Sequence, residues 1–289
     1  MNAAATSTRN AARKMSGFTL VELMIAMVLG LVVIGAAFAI FHSSQSTYRS
    51  NEGLSRIQES ARVAFQLMSR DIRAAGGSAC SNFSVVEGTG AAVTQYRDTA
   101  VSGGANSLRV VSGDDAAYSV LDSSSTSVTL DPDELDAADD VFDVGDFLLL
   151  CNARKTHIVE TTSVNGLRVE FAALPGGYDP TDDEYAPPGA VVLASLRDVN
   201  WFVADNGRDD GRSLFVSRMG GDREEVAEGV QNLSFTYLEA GSNQYVVAPG
   251  DWRQVIAVRM SMTLQGEDID GTALTRTATN VVSMRGRTL

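Results

Sequence analysis

The chain has 289 residues, 44% of them apolar and 20% charged, with 23 basic side chains against 36 acidic ones, for a net charge of −13. Such a length allows one or two domains with a sizeable core, and the apolar share excludes wholesale disorder. The acidic excess leaves no basic stripe to neutralise phosphates, so no nucleic-acid partner is expected.

Residues 1–17 are small and polar and carry Arg9, Arg13 and Lys14 but no acid. From Phe18 to Phe41 runs FTLVELMIAMVLGLVVIGAAFAIF, whose only charge is Glu22. As a helix rising ~1.5 Å per residue it spans about 36 Å, sufficient for a ~30 Å hydrocarbon core. The basic residues ahead of it keep residues 1–17 cytoplasmic and send the remainder across the membrane. The competing reading is an ordinary secretory signal, because Ala37-Phe38-Ala39 fits an A-x-A cleavage site. The length of the apolar run and the carboxylate near its start count against it.

A carboxylate within an apolar helix costs ~2–3 kcal/mol even on lenient insertion scales, so Glu22 either snorkels to the interface or has a partner. Its context favours a partner. Gly17-Phe18-Thr19-Leu20-Val21-Glu22 resembles the class III signal of type IV prepilins and type II secretion pseudopilins. The resemblance implies that a prepilin peptidase cuts between Gly17 and Phe18 and methylates the new Phe18 amine. It further implies that Glu22 meets the Phe18 amine of a neighbouring subunit as helices associate in the membrane. Loss of the leader leaves 20 basic against 36 acidic side chains, a net −16. Gly30 and Gly35 interrupt the apolar run, either weakening the helix locally or permitting close helix packing.

Leu54, Ile57, Ala61, Ala64, Phe65, Met68 and Ile72 continue at three- and four-residue intervals as an amphipathic face. Arg56, Glu59, Arg62, Arg70 and Asp71 are assigned to the other sides, Gly53 to a kink or short break, and Gly76-Gly77 to the stop. One nearly continuous helix is predicted over residues 18–75. Beyond it the period changes to two. Strands are predicted at Ser107–Val111, Ser127–Leu130, Phe147–Cys151 and His157–Thr161. Asn165-Gly166 divides HIVETTSV from LRVEF as a hairpin signal, and VNWFVA meets SLFVSR across Asp205–Arg212. Leu233, Phe235 and Tyr237, and then Ile256, Val258, Met260, Met262 and Leu264, alternate as half-buried strands.

The predicted fold is α+β, pilin-like: one long amino-terminal helix packed on a mainly antiparallel sheet. Its expected divisions are 1–17 as a cleaved leader, 18–41 as the transmembrane and assembly half of the helix, 42–76 as the amphipathic half, and 77–289 as a periplasmic β-rich domain.

Met68–Gly76, Glu228–Tyr237 and Asn280–Arg287 are similar to the PilW minor pilins, and next to the J-type pseudopilins of type II secretion. Residues 81–190 carry no such likeness. The resemblance implies a low-abundance structural subunit that primes pilus assembly with other minor pilins and stays at the tip. Its implied partners are those pilins, the major pilin, the prepilin peptidase and the inner membrane, with a tip adhesin as a further candidate. Adhesion, twitching and DNA uptake are all open as end uses.

Translocation would place Cys80 and Cys151 in an oxidising compartment, where one intramolecular disulfide is expected, with two independent buried thiols as the alternative. The acidic run Asp131, Asp133, Glu134, Asp136, Asp139, Asp140, Asp143 and Asp146 lacks the glycine-bearing spacing of a calcium loop and reads as a solvated loop. Asp205-Asn206-Gly207 and Asp209-Asp210-Gly211 read as turns, with calcium the weaker alternative. No cofactor and no metal are expected. No G-x-S-x-G, H-E-x-x-H or P-loop pattern occurs. His42 borders the membrane span and His157 sits in a predicted strand, so neither marks a catalytic site, and a non-enzymatic protein is expected.

Overall fold

Helix α1 (Leu20–Ala74) dominates the amino-terminal part of the computed structural model, which describes residues 17–81, 84–173, 191–208, 211–269 and 272–285. Contacts divide the chain into two units, Met1–Glu52 and Gly53–Leu289. In the first, α1 presents its apolar side chains outward all round, Phe38 and Leu31 among them. This stretch is long and apolar enough to cross a membrane. The helix is continuous through Gly53, where a kink or break was anticipated. One glycine costs only ~1 kcal/mol against alanine, which the long flanking helix absorbs.

In the second unit the amphipathic face is buried as the spacing requires: Ile57, Ala61, Ala64, Met68 and Ile72 join one core. Asp71 departs from the expected pattern. It is buried, and its carboxylate accepts the indole N–H of Trp201 at 2.9 Å and faces the Arg197 guanidinium at 3.4 Å. Two polar partners from one strand, Trp201 and Arg197, let a charged residue sit on the inner side of the helix, and fix the register of helix on sheet. Burial pushes the Asp71 carboxyl above the ordinary carboxylate range, against the opposing pull of Trp201 and Arg197. Because the folded pKa is raised, the stability this group contributes is full below the unfolded carboxyl pKa of ~3.9 and is lost as pH rises through the folded value. Urea unfolding of the full chain in detergent micelles, compared with Asp71→Asn, should show the wild type losing ground as pH climbs from about 4 through that folded pKa. A difference independent of pH would defeat the assignment.

Strands β1 (Val85–Glu87), β2 (Val101–Gly103), β3 (Ser107–Ser124) and β4 (Ser127–Leu130) follow, with the short helix α2 (Ala91–Arg97) between the first two. Then come β5 (Phe147–Cys151), β6 (Lys155–Asn165), β7 (Arg168–Phe171), β8 (Val192–Asp205), β9 (Arg212–Arg218) and β10 (Arg223–Glu228). Ser107–Gly113 of β3 pairs with Leu196–Phe202 of β8, flanked by β2 on one side and by β9 and β10 on the other. Asp114, Asp115 and Ala116 then stand opposite Ser195 alone, a bulge that bends β3 away. Past it the pairing runs β3–β4–β7–β6–β5–β8 and back to β3. Among the described residues these six strands close a small antiparallel barrel, which removes their free edges.

Val120, Val128, Leu130, Leu148, Leu150, Val159, Val169, Phe171 and Leu193 fill its interior. The unbroken run Leu148-Leu149-Leu150 is explained by burial on both faces, since Leu149 points outward beneath Val93 and Tyr96 of α2. The hairpin between β6 and β7 forms as predicted, but Asn165 pairs with Arg168, so the turn residues are Gly166-Leu167 rather than Asn165-Gly166.

A second sheet, in the order β12–β11–β13–β14, is built from β11 (Val230–Glu239), β12 (Tyr245–Val246), β13 (Val255–Ile269) and β14 (Thr272–Ser283). The chain passes from the first sheet to the second at Gly229, with φ at 77°, where an added Cβ would lie 2.5 Å from the Gln265 carbonyl oxygen. Leu233, Phe235 and Tyr237 face the same core as α1, as do Val258, Met260, Met262 and Leu264. The predicted alternation fails at Ile256. Leu238 pairs with Ala257 and Glu239 with Val255, so Ile256 is the bulged residue and Val255 takes the buried place. The architecture is therefore α+β with two mostly antiparallel sheets, where one sheet was expected.

Candidate assembly site

Gly17, Phe18 and Thr19 precede α1 in non-helical backbone, and all three are exposed. Among the described residues nothing lies within 4 Å of where a Cβ on Gly17 would stand. The Thr19 hydroxyl accepts the backbone N–H of Glu22 at 3.3 Å. Thr19 is thus the N-cap and Glu22 the third helical residue, the spacing of a capping box. Placing the acid in the first turn also complements the positive end of the helix dipole. The sequence reading missed this local role, although Thr-x-x-Glu ahead of an apolar run is its signature. Glu22 makes no ion pair among the described residues, and its carboxylate is open to a neighbour. Arg9, Arg13 and Lys14 of the leader lie outside the described residues. Ala37-Phe38-Ala39 lies within continuous helix.

The other end of α1 is stapled to the strands. The Gly76 N–H donates to the Val111 carbonyl and the Gly113 N–H to the Gly77 carbonyl, each at 2.9 Å. A Cβ at position 113 would come within 3.2 Å of both Ala79 N and Gly77 O, so a larger residue would push the exit segment back from β3 by a few tenths of an ångström. Cys80 and Cys151 form a disulfide that closes across 71 positions and ties this segment to the end of β5. Ser78 adds hydroxyl contacts to Thr156 at 3.3 Å and to the Cys151 sulfur at 3.4 Å.

The remaining candidates fall apart from one another. In the acidic loop, Asp131 accepts the Asp133 N–H and Asp146 the Asp143 N–H, both turn contacts. Glu134 accepts both the backbone N–H and the hydroxyl of Ser119, which hold its carboxyl below the ordinary range. Asp205 accepts the Gly207 N–H, while Asp209 and Asp210 lie outside the described residues. Among the described residues no group of three or more His, Cys, Asp or Glu side chains is placed to hold a metal ion. His42 is an exposed residue of α1. His157 is buried in β6, and that burial lowers its pKa below the ordinary imidazole value.

The described geometry therefore concentrates on the start of α1, and the comparison with known families falls on the same place. A model of the family described as the prokaryotic N-terminal methylation motif matches residues 12–38. The amino-terminal segment is pilin-like. The match spans Gly17, Phe18, Thr19 and Glu22, and marks a pilin-like or pseudopilin-like substrate of a prepilin peptidase. Comparison with curated proteins and with solved structures gives no match. The pilin-like segment and the helix long enough to span a membrane coincide in sequence, consistent with membrane anchoring and with a structural role.

Proposed function

We propose that the chain is a PilW-type minor pilin, a structural subunit of the assembly-priming and tip complex of a type IV pilus. The carrying observation is that the methylation motif leads directly into a helix whose first six turns, Leu20–Phe41, expose an apolar surface all round. Such a surface is stable only in lipid or against other helices of the same kind. Residues 1–17 serve as the leader, Gly17 and Phe18 as the processing pair, and residues 18–41 as the membrane and assembly segment. The rest stands in the periplasm on a single-pass inner-membrane protein until assembly carries it to the pilus tip. Glu22 and the Phe18 amine of a neighbouring subunit set the register, and the β-rich unit contacts other minor pilins and the major pilin. A J-type pseudopilin uses the same parts. The two differ in whether deletion of the gene abolishes surface pili or secretion.

Mass spectrometry of the protein from its native membrane is expected to find a methylated Phe18 at the amino terminus. A terminus at Met1, or one beyond Ala39, would overturn the processing step. The closed barrel, with a core of its own, favours one further reading, a membrane-anchored tip adhesin. Normal pilus number with lost adherence on deletion would select that reading over assembly priming.

A further inference from the structure

Within the second unit, a cleft of about 450 Å³ opens where the last turn of α1 meets the bulge of β3. Arg70, Arg73, Arg197 and Arg285 line it, facing Asp114 and Asp115. Four cations against two acids is an inversion of the whole chain, whose net charge is −13. The arginines are not equivalent. Arg70 bonds Asp115 at 2.6 Å, and Arg197 is oriented by Asp71 from behind. Arg73 and Arg285 are exposed and have no carboxylate partner among the described residues. Arg73, in the last turn of α1, complements the negative end of the helix dipole. That account does not extend to Arg285, which reaches the same cleft from just beyond β14 and lies in no α-helix. Holding like charges together costs free energy unless an anion relieves it, and planar guanidinium forks match carboxylate and phosphate oxygens in pairs.

We propose that this cleft is an oxyanion-binding site, taking a carboxylate or phosphate group against Arg73 and Arg285, with Arg70 and Arg197 adding positive charge. Asp115 competes with the ligand for Arg70, and Asp114 repels it. Asp71 is a positioning residue for Arg197. The site stands apart from the assembly reading, since none of its residues belongs to the amino-terminal segment. Its ligand is either a free anion or a carboxylate carried by an acidic segment of a partner protein.

The test is calorimetric titration of the full chain, in zwitterionic micelles at low salt, with inorganic phosphate and with an end-blocked tetraglutamate peptide. At least one probe should bind saturably. Arg73→Gln and Arg285→Gln should each weaken that binding about tenfold, the worth of one charge-assisted contact of ~1.4 kcal/mol. Asp115→Asn, which frees Arg70, should tighten it about threefold. Arg168→Gln, whose parent side chain pairs with Glu170 at 3.1 Å outside the cleft, should leave it unchanged. Preference for phosphate identifies a free anion, and preference for the peptide a partner's acidic segment. Absence of saturable binding by both probes overturns the proposal. So does an Arg168→Gln variant as impaired as the cleft variants.

Discussion

Removing the disulfide, as Cys80→Ala with Cys151→Ala, is expected to lower the stability of the second unit by about 4 kcal/mol, the loop-closure value for a cross-link spanning 71 positions. Alanine is preferred at 151 because that site is fully buried, and a serine hydroxyl there would add a desolvation penalty of its own. The loss acts mainly on the unfolded chain, which the bond otherwise restricts. The native exit of α1 keeps two other attachments, the Gly76–Val111 and Gly113–Gly77 backbone bonds. The variant should therefore fold with its strand pairing intact while its denaturation midpoint drops. Amide exchange at Gly76 and Gly113 should quicken first, because they now hold the helix exit without covalent support. Denaturant unfolding of the full chain in micelles, read beside hydrogen exchange, checks both parts. An unchanged midpoint would mean that the cross-link contributes nothing beyond the packing around it.

Much of this architecture can be read from the residues themselves. The helix was legible because its two halves carry two simple patterns, unbroken apolar residues and then the three-four spacing from Ile57 to Ile72, each wide enough to outweigh single glycines. Single strands such as Ser127–Leu130 and Phe147–Cys151 were legible as short runs bounded by Gly, Ser and Asp clusters. What stayed hidden depends on partners distant in sequence. Closure of the barrel needs β3 to pair with β4 at one end and β8 at the other, which no local pattern encodes. The split into two sheets turns on one residue, Gly229, and the lapse of alternation at Ile256 on one bulge. Asp71 was placed on the solvent side because a carboxylate normally belongs there. Its burial becomes reasonable only once Trp201 and Arg197, more than a hundred residues later, supply a donor and a charge.

The candidate site divides in the same way. The methylation motif around Gly17, Phe18 and Glu22 was legible because its residues are local and their spacing short. The capping role of Thr19 carries an equally short signature and was overlooked. The arginine cleft was invisible, since Arg70, Arg73, Arg197 and Arg285 converge only after the strands have paired.

Glu22→Ala is expected to leave cleavage at Gly17 intact and to reduce assembly by roughly thirty- to a hundredfold. A carboxylate in the apolar segment costs ~2–3 kcal/mol while the subunit waits in lipid, and ~1.4 kcal/mol corresponds to a factor of ten. On the proposed assembly, the Phe18 amine of a neighbour would relieve that cost in the helix bundle, so that the charge would drive the subunit out of the membrane and into register. Alanine removes the cost in lipid and the pairing in the bundle together, and the segment then rests in the bilayer. The helix start should keep its Thr19 cap, which accepts the backbone N–H of residue 22 whatever its side chain, and lose only the smaller interaction of the acid with the helix dipole. Glu22→Gln separates charge from shape: it retains a polar side chain of the same length, and should assemble as poorly as alanine if the ionic pairing decides the outcome. The measurements are the fraction of processed protein in the membrane and the amount crosslinked, through a cysteine placed near residue 22, to the amino terminus of a second subunit. Processed Glu22→Ala that still crosslinks at wild-type levels would remove the ionic contact from the mechanism and leave helix packing alone to set the register.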